Sequence, residues 1–320
     1  MVTEGGKVSR EPGVSGKAIA GDALELIFNT PMVRLCKVVE TGSAEVVAKL
    51  EGVNPTGSVK DRVCLGIVQA AEREGKLKKG STIIEPTGGN TGISLAMIAA
   101  VRGYKLILVM PENVPGEQKA LLSFYGAALE LTPSSEGMPG AIKRAQDMLR
   151  TNSTRFFMPN QFENPVNPEI HRKTTAPEIL EATGGDIDTF VAGVGTGGTI
   201  SGVGEVLKAK IPSVQVVAVE PKSSAVISGG RPGTHGIHGL GAGFLPGLLN
   251  KDIIDRVVAV SDEDAQDMTA RLAREEGLVV GISSGAAAFA SVVIARELGG
   301  GSGKRVVTIF PDRGEKYASR

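Results

Sequence analysis

Short apolar runs alternate along this chain with longer stretches in which apolar positions recur every three or four residues. The runs 45–50 (EVVAKL), 82–86 (TIIEP), 105–110 (KLILVM) and 128–132 (ALELT) read as strands, bounded by Gly, Pro, Asn and Asp. Between and after them, 59–76, 90–102, 117–124 and 140–150 carry helical periodicity. A second series opens near Asp188: strand 189–193, helix 199–208, strand 215–220, a glycine-rich irregular stretch over 221–251, strand 257–260, helices 262–276 and 284–298, and strand 305–310. Prolines cluster over 158–168, where the two series meet. Strand-then-helix units imply right-handed crossovers, so the expected fold is α/β with mostly parallel sheets flanked by helices.

The 320 residues carry 35 basic and 35 acidic side chains, which removes the electrostatic footprint of a nucleic-acid or membrane-surface binder. Aromatics make up 4% and tryptophan is absent, which argues against stacking platforms for bases or sugars. No apolar run approaches the ~20 residues of a membrane span. Residues 1–20 are rich in Gly, Ser and charge and lack an apolar signal-peptide core, so they read as a flexible leader. Cys36 and Cys64 form no CxxC pattern, and a reducing, cytoplasmic setting is expected. Cys64 suits a small buried position better than a reactive one. His171 stands alone and His235 and His238 lie in a glycine-rich loop without a third ligand, so no metal site is expected.

Four strand-to-helix turns carry candidate chemistry. In Asn54-Pro-Thr-Gly-Ser-Val-Lys-Asp-Arg62 the chain breaks a strand and opens a helix, with Lys60 in its first turn. The positive end of the helix dipole disfavours the ammonium there, leaving an amine able to form a Schiff base. A surface lysine at a helix start fits the same residues. In Glu85-Pro-Thr-Gly-Gly-Asn-Thr-Gly92, glycines allow close approach of a ligand, and Thr87, Asn90 and Thr91 offer polar groups beside helix N–H groups suited to an anion. An ordinary capped turn is the simpler reading of that loop. The run from Gly193 to Ile200 (GVGTGGTI) suits an isolated phosphate. It also matches GxGxxG through Gly193, Gly195 and Gly198, with Glu220 at the distance a dinucleotide fold requires. In Gly281-Ile-Ser-Ser-Gly-Ala286 the serines fit helix caps, Ser284 especially. The acidic pairs and triplets at Asp262, Glu263, Asp264, Glu275 and Glu276 read as solvated helix faces.

In this order the four motifs resemble the cysteine synthases (O-acetylserine sulfhydrylases) and their cystathionine β-synthase relatives. The resemblance runs over roughly 23–319 and includes ELIFNTP, NQFENPVNPEIH, AVEP, GLGAGF and FPDRGEKYAS. It implies a two-domain fold-type II enzyme, similar to the tryptophan synthase β chain, dependent on pyridoxal 5'-phosphate. Residues 21–53 with 161–320 would form the larger domain and 54–160 a smaller, mobile one. Lys60 would carry the cofactor and act as catalytic base. Gly195, Thr196, Gly197, Gly198 and Thr199 would hold its phosphate, Asn90 the ring hydroxyl and Ser283 the pyridine nitrogen. A serine there leaves the ring a weaker electron sink, which favours elimination of a good leaving group. Thr87, Gly88, Gly89 and Thr91 with Gln161 would take the substrate carboxylate.

The implied reaction is β-replacement on O-acetyl-L-serine through an α-aminoacrylate, with sulfide giving L-cysteine. The implied assembly is a homodimer able to dock a serine acetyltransferase tail. Cystathionine formation with homocysteine is the nearest alternative. An NAD-dependent dehydrogenase built on Gly193, Gly195, Gly198 and Glu220 leaves Lys60 without a role, and a cofactor-holding regulator is the reading from outside enzymology. Two positions depart from the family pattern. Gly88 stands where serine is usual and is expected to open space beside the substrate. Phe28 stands where ELIGNTP has glycine.

Overall fold

The computed structural model describes residues 19–151 and 155–317, so all but the last two positions of the expected leader lie outside the described residues. Among the described residues, ten strands form two sheets. The six-stranded sheet holds β1 (Met32–Leu35), β2 (Glu45–Leu50), β7 (Thr189–Gly193), β8 (Gln215–Pro221), β9 (Arg256–Val260) and β10 (Arg305–Phe310), in the order β1-β2-β10-β7-β8-β9. Only β1 runs antiparallel, paired with β2. The four-stranded sheet is all parallel, in the order β5-β4-β3-β6, from β3 (Thr82–Pro86), β4 (Lys105–Pro111), β5 (Ala128–Thr132) and β6 (Phe156–Phe157).

Continuous apolar strands are what a sheet covered on both faces requires, because successive side chains point to opposite faces. In β8, Val217 and Val219 enter one core while Val216 and Ala218 enter another. The first core is closed by α8 (Asp262–Glu275) and α9 (Ile282–Leu298). The second is closed by α6 (Ala176–Thr183) and α7 (Gly198–Lys210). The small sheet repeats the plan. Ile83 faces a core with α1 (Lys60–Arg73) and α2 (Asn90–Arg102), and Ile84 faces α4 (Gly137–Thr151). Each such fully buried Ile, Leu or Val is worth about 1.5–3 kcal/mol. Helix α3 (Gly116–Phe124) lies outermost and buries only Leu122.

Strand β1, the two-residue β6 and the helical stretch α5 (Val166–Ile170), a π-turn over His171–Thr175 and α6 are additions that the sequence pattern does not announce. They are short, and α5 begins inside the proline cluster. Helix α9 begins at Ile282 with Gly281 as its cap, so Ser284 is no cap, and its buried Oγ finds no hydrogen-bond partner among the described residues. The acidic positions at the two ends of α8 are also not simply solvated. Glu276 accepts from the N–H groups of Cys36, Lys37 and Val38 at 2.5–2.9 Å, and Asp262 accepts from Gly236 N–H at 2.6 Å.

Two residues past Lys60, Arg62 is fully buried in a cluster of four charges. Its guanidinium donates to Glu51 at 2.7 and 2.9 Å and to Glu178 of α6 at 2.6 Å, while Lys49 of β2 meets Glu178 at 2.8 Å. Lys49 also donates to the Thr30 carbonyl, and Asn54 donates to Glu51. Phe28 belongs to this cluster. Its φ of 83° is a region that glycine favours and that costs another residue about 1–2 kcal/mol. Its N–H donates to Asn54 Oδ1 at 3.1 Å and its ring lies 5.4 Å from the Arg62 guanidinium, a cation–π contact that offsets much of that strain.

Arg62→Leu leaves two buried carboxylates facing Lys49 alone and should destabilise the fold by about 3–5 kcal/mol in urea denaturation. Burial works to raise the Glu178 pKa, but Arg62 and Lys49 hold it at about 2, below its ordinary 4.5. The stability this group contributes is present above about 4.5 and is lost as pH falls toward 2. A melting series over that range should show a smaller acid loss in Arg62→Leu than in the parent.

Candidate active site

The loops that follow β2, β3, β4, β7 and β10 open at the carboxyl ends of their strands, where a parallel α/β sheet leaves a crevice. They enclose one cavity of about 910 Å³. Lys60, Thr87 to Thr91, Gln161, Gly195, Thr196 and Ser283 all line it, so most of the residues singled out in sequence meet in one place. Gly197, Gly198 and Thr199 stand just behind, as the cap and first turn of α7.

Lys60 is the first residue of α1 and is half-buried. The segment just after β10 fixes its approach: Val59 N–H donates to the Pro311 carbonyl at 2.8 Å, Arg313 N–H donates to the Gly57 carbonyl at 3.2 Å, and Ser58 bridges Asp312. Burial pulls the Lys60 pKa below its ordinary range, while the Cys64 thiol and the Asp312 carboxylate act in the opposite sense. The ammonium is thus disfavoured relative to an exposed lysine, with desolvation as the leading cause. Cys64 is buried and its thiol is pushed well up by desolvation, as its inert reading requires.

The GTGGT turn is shaped for exposed backbone. A Cβ at Gly195 would lie 2.3 Å from the Gly239 carbonyl oxygen, and one at Gly198 would lie 2.0 Å from Asn167 Oδ1. Gly197 takes a φ of 84° to turn into α7. Side chains are thus excluded and the first N–H groups of a 13-residue helix are left for an anion. Asn167, unrecognised in the sequence, ties this loop to the rest of the site. Its Nδ2 donates to Thr196 Oγ1 at 3.0 Å and to the Gln161 carbonyl at 2.8 Å, and its Oδ1 is buried without a partner. His171 backs the loop, 3.2 Å from Thr199 Oγ1 and 2.9 Å from Thr175 Oγ1, and burial pushes its pKa well below the ordinary value.

Across the cavity, Thr91 Oγ1 donates to Gln161 Oε1 at 2.7 Å. Asn90 donates to Asp312 Oδ2 at 2.7 Å and accepts from Lys316 at 2.8 Å. Asp312 and Lys316 are two further site residues that sequence reasoning passed over. Their signal was the closing FPDRGEKYAS, quoted for likeness and not for chemistry. Burial pushes the Asp312 carboxyl up, and it lies beside Lys60 with Oδ1 unpaired. Ser283, 4% exposed, faces the cavity from the first turn of α9.

Gly88 does not open the space expected of it. A Cβ there would lie 2.8 Å from Val114 Cγ2, so Val114 already fills that volume. Gln118 of α3 donates to the Gly88 carbonyl and fixes the loop from outside. Glu220, the acidic residue of the dinucleotide reading, is buried and accepts from the N–H groups of Ile227 and Ser228 at 2.7 and 3.1 Å. It closes a structural loop and is not free for a ribose. No group of His, Cys, Asp and Glu suited to a metal occurs among the described residues. Among them, no helix is long and apolar enough to cross a membrane.

Comparison with known proteins agrees with this geometry. Residues 23–312 match the model of the pyridoxal-phosphate dependent enzyme family. A cysteine synthase of Staphylococcus aureus is 53% identical over 296 residues, covering 92% of this chain and 94% of that protein. The crystal structure of cysteine synthase from Entamoeba histolytica superposes with a TM-score of 0.90 at 39% identity, covering 100% of this chain and 93% of the other. The O-acetylserine dependent cystathionine β-synthase of Helicobacter pylori gives 0.87 at 39% identity, covering 95% and 99%. With its lysine, its glycine cradle and its two parallel sheets, the chain belongs to the pyridoxal-phosphate dependent enzymes, in the cysteine synthase and cystathionine β-synthase family.

Proposed function

We propose that this protein is a cysteine synthase, replacing the acetate of O-acetyl-L-serine with sulfide to form L-cysteine. The observation that carries the proposal is the buried Lys60 amine, set in one cavity with a backbone anion cradle at Gly195–Thr199 and a polar loop at Thr87–Thr91.

The cavity suits pyridoxal phosphate. A Cβ at Gly195, Gly197 or Gly198 would press on Gly239, Leu249 or Asn167, so only glycine keeps this turn's backbone in place, and a phosphate dianion held by its N–H groups would need no cationic clamp. Lys60 would hold the group, with Ser283 at its ring nitrogen and Asn90 at its ring hydroxyl. When bound, the cofactor supplies an aldehyde for the amino group and a ring that takes up electrons from the α-carbon. Lys60, whose ammonium burial disfavours, would be the base that takes the α-proton and later returns it. Thr91, Gln161 and the N–H groups opening α2 orient the substrate carboxylate.

A separate four-stranded sheet within 54–160 supports the reading of that span as a mobile unit, although Arg62 ties its first helix to Glu51 and Glu178, and Leu24 and Ile27 pack into its core. We place the enzyme in the cytoplasm as a homodimer, with the unpaired thiols of Cys36 and Cys64 suited to a reducing compartment. Leu121, Met138 and Phe162 give the cavity an apolar edge that suits a peptide tail such as that of serine acetyltransferase. Homocysteine as acceptor is the second reading, in line with the likeness to an O-acetylserine dependent cystathionine β-synthase.

Product analysis with O-acetylserine, sulfide and homocysteine in competition tests the assignment: cysteine should dominate, and cystathionine as main product would favour the second reading. Borohydride reduction and peptide mapping should find the cofactor on Lys60, and label on another lysine would overturn the mechanism. Lys60→Ala should lower turnover by about 10²–10⁴-fold or more, the range of a lost acid–base group. Because Val114 fills the space beside Gly88, Gly88→Ser alone should weaken O-acetylserine binding, and adding Val114→Ala should restore it. Tighter binding by the single variant would show that Val114 yields easily.

A further inference from the structure

Glu85 is a buried carboxylate behind the Thr87–Thr91 loop with no part in the chemistry above. It lies at the end of β3, two residues before Thr87, and is 2% exposed. Its Oε2 accepts from Asn160 N–H at 3.0 Å and its Oε1 accepts from Gln161 N–H at 3.4 Å. Asn160 is held at a φ of 51°, in the segment that carries the chain from β6 of the small sheet toward α5. Gln161 is then fixed at three points. Glu85 takes its N–H, Asn167 donates to its carbonyl at 2.8 Å, and Thr91 donates to its side-chain oxygen at 2.7 Å. Among the described residues the titratable group that bears on Glu85 is the Cys64 thiol of α1, which burial keeps protonated. The other partners are the two backbone amides.

We propose that Glu85 is a positioning residue: by gripping the Asn160–Gln161 backbone it sets the Gln161 side chain against Thr91, and amino-acid affinity depends on that grip. The inference rests on the reading of Gln161 as a substrate contact. A carboxylate is a costly choice for the task. Burial raises its pKa to about 7, with the two amide hydrogen bonds pulling down. A carboxyl raised above its ordinary 4.5 contributes stability that is present below 4.5 and lost as pH rises through 7. The charge therefore works against global stability while strengthening two local hydrogen bonds, which is the trade expected of a functional group. When Glu85 takes up a proton below about 7, one oxygen becomes a hydroxyl and the grip on two successive amides weakens.

The test is Glu85→Gln, which keeps shape and one acceptor but turns the other oxygen into a donor. At pH 8, amide exchange in a peptide spanning 158–163 should speed up about 10-fold, the loss of one charge-assisted hydrogen bond. KM for O-acetylserine should rise by a similar factor with kcat held within about threefold. The parent's KM should climb several-fold from pH 8 to 6, while the variant's stays flat. If the variant is poorly folded, Glu85→Asp keeps the charge on a shorter arm and should show raised KM with the pH dependence retained. Unchanged exchange, or a KM and pH profile that follow the parent, overturns the proposal. Should the parent fail to turn over O-acetylserine, the functional reading falls, and the exchange comparison by itself decides the grip.

Discussion

The position of Lys60 depends on the buried charge cluster one helical step away. Arg62, Glu51, Glu178 and Lys49 are taken out of water together, and each is tolerable only because the others are in place. The cluster draws on β2, the turn after it, α1 and α6, so it fixes α1 against the large sheet at its first turn. The rest of α1, through Cys64, Leu65 and Val68, packs into the core of the small sheet. One helix thus belongs to both halves, and the lysine sits where its two loyalties meet. The N-terminal segment is bound into the same arrangement, since Leu24 and Ile27 enter the small-sheet core while Thr30 bonds the cluster.

The cavity is built by the same economy of shared partners. Asp61 accepts from Thr56 and from Ser94 of α2, joining the turn before Lys60 to the helix behind the Thr87–Thr91 loop. Asn167 joins the glycine cradle to Gln161. The segment after β10 lies against the Lys60 turn, with Ser58 bridging Asp312. Desolvation then does the chemical tuning. It lowers the lysine, raises Asp312 and lowers His171.

Tight packing also explains the two departures from the family motifs. Phe28 occupies a left-handed position because its ring is held under Arg62 and its N–H by Asn54. Gly88 lacks a side chain, and Val114 from the loop after β4 takes up the volume. Neither compensation is local in sequence.

The sequence by itself determined the alternation of strands and helices, the four ligand-facing turns and the lysine, because each rests on local patterns: five-residue apolar runs, helical periodicity, and glycine where backbone must be exposed. Family likeness in those same turns carried the cofactor and the reaction. Tertiary structure alone decided what those turns touch. Burial as the cause of the Lys60 shift, the filling of Gly88 by Val114, and the bonds that tie Asn167, Asp312, Lys316 and Glu85 to the site come from residues tens to hundreds of positions apart, while Glu220 is engaged by Ile227 and Ser228 in an irregular loop that carries no periodic signal. A side chain's type is written locally, but its desolvation and its partners are set by whichever distant elements the parallel crossovers bring against it.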